Sequence, residues 1–196
     1  MGRKAAVTRK TKETQIELTI DLDGRGITEI STGVGFFDHM LDGFARHGLF
    51  DLSVKVKGDL EVDDHHTVED IGIALGQAFA AALGDKRGIT RYGSAILPMD
   101  EALILTAVDL SGRCCPVIDL QIPTQKVGTF DTELVEEFWL GFCRAAACNL
   151  HIKQLAGSNA HHIIEGAFKS AARSLRQAVA LDPRAEGQIP STKGVL

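Results

Sequence analysis

His65-His66-Thr67-Val68-Glu69 and His161-His162-Ile163-Ile164-Glu165 are one pattern written twice, 161 − 65 = 96 residues apart. Each copy opens a long segment of apolar residues at helical spacing, so each is expected to form the first turns of a helix. Similarity runs outward from both copies in the same order. Asp21-Leu-Asp-Gly-Arg25 returns as Asp109-Leu-Ser-Gly-Arg113, and Val34-Gly-Phe-Phe-Asp38 returns as Val127-Gly-Thr-Phe-Asp131. Leu52 to Gly58 matches Leu150 to Gly157 in character. The offset drifts from 109 − 21 = 88 through 127 − 34 = 93 to 96, as small loop insertions would make it. A solenoid needs more copies, so two halves sharing one core is the expected architecture.

The local patterns agree. Gln15 to Asp21 alternates apolar and polar, as a half-buried strand does, and a short second strand runs to about Ile30. Phe37, Met40, Leu41 and Phe44 mark a helix over Phe36 to His47, stopped by Gly48. Leu52 to Lys57 is a strand, and His65 to Leu83 is a helix with an Ile71, Leu75, Phe79, Leu83 stripe. The second half repeats this with strands near 102–109 and 114–121, a helix near 132–147, a strand near 150–155 and a helix near 160–180. Pro183 cannot continue that last helix. Each half reads ββαβα, and the fold expected is α+β, with sheet packed against helices in one domain. The halves are placed at about 9–95 and 96–182, followed by a tail over 183–196.

The repeated motif carries the chemistry. Successive helical side chains point about 100° apart, so adjacent histidines do not readily chelate one ion. They suit two ions, with the Glu returning to the face of one of them. Two facing motifs offer four imidazoles and two carboxylates, enough for a two-metal site. One copy alone would be a solvated helix start; two copies within a wider repeat argue for shared metal chemistry.

Composition narrows the rest. At 196 residues and net charge −5, general affinity for nucleic acid or anionic membrane is disfavoured. No apolar run is long enough to span a bilayer, and the start lacks the apolar stretch of a signal peptide. Cys114, Cys115, Cys143 and Cys148 show no paired spacing, so all four are expected to be reduced packing residues of a cytoplasmic protein, with adjacent Cys114 and Cys115 on opposite faces of a strand.

Seven ordered motifs bear on a family: Gly35-Phe-Phe-Asp-His-Met-Leu41, Asp64-His-His-Thr-Val-Glu-Asp70, Pro98-Met-Asp-Glu101, Asp109-Leu-Ser-Gly-Arg113, Leu150-His-Ile152, His161 to Lys169, and Pro190-Ser-Thr-Lys-Gly194. Together, from about Arg9 to Gly194, they resemble the imidazoleglycerol-phosphate dehydratases. The resemblance implies a hydro-lyase of histidine biosynthesis that takes water from D-erythro-imidazole-glycerol phosphate and yields imidazole-acetol phosphate. It also implies two Mn2+ per active site and a homo-24-mer with sites between subunits.

Carried over by position, one metal is expected on His39, His66, Glu69 and His162. The other is expected on His65, His161 and Glu165 with Glu137, where some family members have histidine. Glu137 stands 24 residues before His161 and His39 stands 26 before His65, so the two are pseudo-equivalent. The choice of manganese rests on the resemblance, since imidazole-rich sites also suit zinc, iron or nickel. The resemblance makes Glu13 the expected proton-transfer group, with Asp100 and Glu101 as lesser candidates. Residues alone would make Glu13 a strand-edge carboxylate in a surface ion pair. Arg91, Arg113, Lys169, Ser191 and Lys193 match phosphate-contacting positions, and arginine suits phosphate through its planar fork. By default Arg91 and Lys169 would be solvated charges, Arg113 would close a turn that Arg25 repeats, and the tail would be disordered. The motifs also permit a dinuclear metallohydrolase, a metal-storing or metal-sensing shell, or a purely structural duplicated domain.

Overall fold

A computed structural model describes residues 2–196. The chain opens with a hairpin of β1 (Lys4–Lys10) and β2 (Thr14–Asp21), then runs through β3 (Thr28–Ser31), α1 (Gly35–Gly48), β4 (Asp51–Gly58) and α2 (His65–Leu83). The second half begins with β5 (Tyr92–Met99) and β6 (Ala102–Asp109), then β7 (Cys115–Asp119), a small ribbon of β8 (Lys126–Val127) and β9 (Phe130–Asp131), α3 (Leu134–Ala146), β10 (Asn149–Ala156) and α4 (Ala160–Val179). A short 3-10 turn at Pro183–Ala185 starts the tail.

The strands form two four-stranded sheets of corresponding order, β1-β2-β4-β3 and β5-β6-β10-β7. In each, the last-named pair is parallel, β3 with β4 and β7 with β10, and the rest is antiparallel. Parallel neighbours need a crossover, which α1 and α3 supply. The helices lie on the sheets and meet each other, α2 against α3 and α1 against α4. This is a mixed α+β domain with one core. Phe37, Phe44, Phe79, Phe138, Trp139 and Phe168 are fully buried in it.

The α2–α3 contact is close because glycines line it. A Cβ on Gly72 would stand 2.4 Å from the Phe138 carbonyl oxygen, and one on Gly76 would stand 2.5 Å from that of Phe142. Both crossovers turn on a non-glycine residue in the left-handed region, Leu49 (φ 54) after α1 and Ala147 (φ 50) after α3. Phe50 N–H then bonds the Ala45 carbonyl, and Cys148 N–H bonds that of Cys143, which closes both helix ends alike.

Two expectations are corrected. Each half carries a leading strand, β1 and β5, that alternation did not mark. Both are edge strands whose alternation is blurred, in β1 by Arg9 on the inner face and in β5 by exposed Tyr92 and Ile96 on the outer one. Cys143 and Cys148 are buried, but Cys114 and Cys115 are both exposed, and Cys114 lies before β7 rather than on it. The last helix runs to Val179, within the span expected and short of Pro183; Ala180 is extended and its carbonyl accepts from Thr90 N–H and Oγ1–H. Among the described residues no helix is long and apolar enough to cross a membrane.

Candidate metal centre

The two His-His pairs sit at helix starts because acceptors just upstream cap them. Asn159 Oδ1 accepts from the N–H groups of His161 and His162, and Asp63 Oδ1 accepts from that of His65. In each pair the rings diverge, with centroids 6.2 Å apart and planes near perpendicular.

Among the described residues, one potential ligand group forms. His39, His161 and Glu165 bring one donor atom each to within 4.8 Å of one another. Glu165 Oε2 stands 3.0 Å from His161 Nε2 and 3.4 Å from His39 Nε2. Glu165 Oε1 is held by Lys169 Nζ at 2.6 Å. Burial pushes the Glu165 carboxyl up, but Lys169, His39 and His161 outweigh it and hold the group below its usual range. Glu165 is therefore an anion presented to two imidazoles at an open surface, since His39 is half exposed. Two neutral imidazoles and a carboxylate fit a divalent cation.

This grouping differs from the one drawn from sequence, which put His39 with His66, Glu69 and His162. The reason is helix placement. α1 runs along α4, with Gly43 against the Lys169 stem, so His39 faces Glu165. The other half repeats the contact, with Gly141 against Ile73. That brings the turn carrying half-buried Glu137 alongside the turn carrying Glu69, at the end of α2 that begins with His65. These three do not converge into a ligand group as His39, His161 and Glu165 do.

The second histidine of each pair is oriented by a carboxylate. His66 Nδ1 lies 2.9 Å from Asp59 Oδ2, and His162 Nδ1 lies 2.7 Å from Glu101 Oε2. Those hydrogen bonds raise the pKa of both histidines. His162 holds the Glu101 carboxyl down at about 2, helped by the N–H groups of Asn159 and Ser158. A carboxylate on Nδ1–H leaves Nε2 as the free donor. Facing those Nε2 atoms are Glu13, 3.9 Å from His66, and Asp100, 3.6 Å from His162. Asp59 was not found from sequence, because it lies in the loop between β4 and α2, where no helical or strand period relates it to His66.

The phosphate candidates lie elsewhere. Arg91 N–H bonds the Ala178 carbonyl near the C-terminal end of α4. That is most of a 20-residue helix away from His161, and such a helix is about 30 Å long. The Arg91 guanidinium grips Asp109 at 2.7 and 3.2 Å, bonds the Pro190 carbonyl at 2.8 Å and lies over the Tyr92 ring. Arg113 is exposed, with its carbonyl bonded by Asn149. Ser191 Oγ accepts from Lys193 N–H, and Lys193 points to solvent. The tail is thus placed beside Arg91 through Pro190. Lys169 alone of this set touches the His–Glu group.

Residues 32–175 match the family model described as imidazoleglycerol-phosphate dehydratase. The chain belongs to the imidazoleglycerol-phosphate dehydratase family. It is 60% identical over 194 residues to the imidazoleglycerol-phosphate dehydratase of Dinoroseobacter shibae and 61% identical to that of Roseobacter denitrificans, covering 99% of this chain and 100% of each relative. The crystal structure of the Staphylococcus aureus dehydratase superposes with a TM-score of 0.84 at 39% identity, covering 91% of this chain and 99% of that one. The Pyrococcus furiosus structure gives 0.84 at 40% identity, covering 97% and 100%. The chain is accordingly a hydro-lyase of histidine biosynthesis.

Proposed function

We propose that this dehydratase converts D-erythro-imidazole-glycerol phosphate to imidazole-acetol phosphate at a site holding two Mn2+, assembled between subunits of a cytoplasmic homo-24-mer. The observation that supports it most is the His39, His161, Glu165 group, with Glu165 kept anionic by Lys169. The donors proposed for the two ions are His39, His65, His66, Glu69, Glu137, His161, His162 and Glu165. Only three of them converge within one chain, so the rest are taken to be completed across subunit contacts. The halves, about 9–95 and 96–182, are read as a duplication, which would account for two ion sites of similar make-up.

Bound there, divalent cations would act as Lewis acids and stabilise negative charge on the substrate ring. The chain's own residues would do the rest. Asp59 and Glu101 fix the ring orientation of His66 and His162. Glu13 is the carboxylate proposed to move the proton of the reacting carbon. It is half exposed beside His66, and among the described residues no hydrogen bond ties up its carboxylate oxygens. Arg113, Ser191 and Lys193 would take the phosphate with Lys169, while Arg91 holds the tail that carries Ser191 and Lys193. The distance along α4 between Arg91 and His161 favours a substrate bridging two chains.

Elemental analysis with a dehydratase assay, before and after chelation, tests the reading. About two manganese ions per chain, and activity lost on chelation and regained on adding Mn2+, are expected. Full activity in metal-free protein would overturn it. Light scattering with and without chelator tests the assembly, since ions at subunit contacts would stabilise the large particle.

A further inference from the structure

We infer that buried Asp70 is a positioning residue for Glu13, acting through Arg9, Thr14 and Thr11. The inference rests on the reading of Glu13 as the proton-transfer group. Asp70 follows Glu69 on α2, is 6% exposed, and points at the β1–β2 hairpin rather than at the histidines. One carboxylate oxygen accepts from Arg9 Nε at 3.0 Å and Nη2 at 2.7 Å, and the other accepts from Thr14 Oγ1 at 2.5 Å. Thr14 Oγ1 also lies 3.2 Å from Thr11 Oγ1. A hydroxyl has one proton. With that of Thr14 given to Asp70, the Thr11 hydroxyl must donate to Thr14. The lone pairs of Thr11 Oγ1 then accept the N–H groups of Glu13 and Thr14, at 3.1 and 2.9 Å. The charge on Asp70 thus sets the direction of a hydrogen-bond chain that ends on the backbone of Glu13.

The other half of the molecule shows that the fold does not require this network. The hairpin registers Lys4↔Asp21 and Tyr92↔Asp109 relate the halves by 92 − 4 = 88 residues, and α2 and α4 are related by 96. Those shifts carry Arg9 to Leu97, Thr14 to Ala102 and Asp70 to Gly166, an apolar set without a hydrogen bond among them. They carry Glu13 to Glu101, whose carboxylate is itself consumed by His162, Ser158 and Asn159. One hairpin turn is anchored by its own carboxylate. The other is anchored from beneath, which leaves the Glu13 carboxylate free to work.

The test is a double-mutant cycle on the metal-loaded enzyme with Asp70→Asn, Glu13→Gln and the pair, reading kcat, KM, ions per chain and melting temperature. Asp70→Asn is expected to lower kcat about 10- to 100-fold with KM and metal content held. The pair is expected to be no slower than Glu13→Gln alone. An unchanged kcat in Asp70→Asn, or the same fold-loss in both backgrounds, overturns the inference while leaving Glu13's role standing. Normal turnover by Glu13→Gln alone overturns the underlying reading instead. Should Asp70→Asn fail to fold, Arg9→Leu, Thr14→Ala and Asp70→Ala together mimic the apolar filling of the other half without stranding a cation. That protein should fold and bind metal yet turn over slowly; wild-type turnover would overturn the inference.

Discussion

His39 Nε2 and Glu165 Oε2 stand 3.4 Å apart, joined across the two halves by the contact of α1 with α4. Glu165 turns that same oxygen to both His39 and His161, because Lys169 occupies its other oxygen. His39→Ala is expected to weaken Mn2+ binding at least about tenfold while leaving the monomer fold intact, since His39 is exposed and its neighbours Phe37 and Met40 carry the core contacts. Titration calorimetry and melting curves check this. Wild-type affinity in the variant would remove His39 from the ligand set.

The Glu101–His162 pair gives a pH signature in metal-free protein. The Glu101 carboxyl is depressed to about 2, so its contribution is full above its ordinary value of 4.5 and fades as pH falls toward 2. The His162 imidazole is raised above 6.5, so its contribution is full below 6.5 and fades as pH climbs through the raised value. The difference in melting temperature between wild type and Glu101→Gln should therefore be largest between 4.5 and 6.5 and shrink on both sides. A difference independent of pH would mean that the pair does not form.

Arg91 and Arg113 should separate on substitution. Arg91→Lys loses the fork on Asp109 and the bond to Pro190, so the tail loosens and the melting temperature drops by about 2–4 °C for each kcal/mol lost. Arg113→Ala removes an exposed side chain, so stability should hold while the KM for the phosphate substrate rises. Melting curves beside steady-state kinetics decide. An Arg113 variant with unchanged KM would take Arg113 out of the phosphate site.

Gly72→Ala places a methyl 2.4 Å from the Phe138 carbonyl oxygen, backbone that cannot turn aside. A loss of about 2–3 kcal/mol, or failure to fold, is expected. Gly35→Ala, which meets nothing within 4 Å, should be nearly neutral. Denaturant unfolding of both variants measures the contrast.

How far each feature was legible depends on the range of the interactions that make it. Period and turn residues are local, so α1, α2, the inner strands β2, β4 and β6, and both His-His helix starts could be read directly. The edge strands β1 and β5 could not, since Arg9 interrupts the inner face of one and Tyr92 and Ile96 lie on the outer face of the other. Motif order led to the family because seven segments in fixed sequence seldom coincide by chance.

The sequence by itself determined the α+β class and the family, and it supplied the twice-written His-His motif and the candidate residues for chemistry. All of these reside in residue types and their order along the chain. Only the tertiary structure decided which residues meet. It set His39 against Glu165, gave Asp59 to His66 and Glu101 to His162, and committed Arg91 to Asp109. It also buried Asp70 beneath the Glu13 turn and left Arg91 far along α4 from His161. Those pairings follow from glycine-lined helix contacts and sheet register, where a carboxylate finds its partner through distance in space, a quantity that spacing along the chain does not encode.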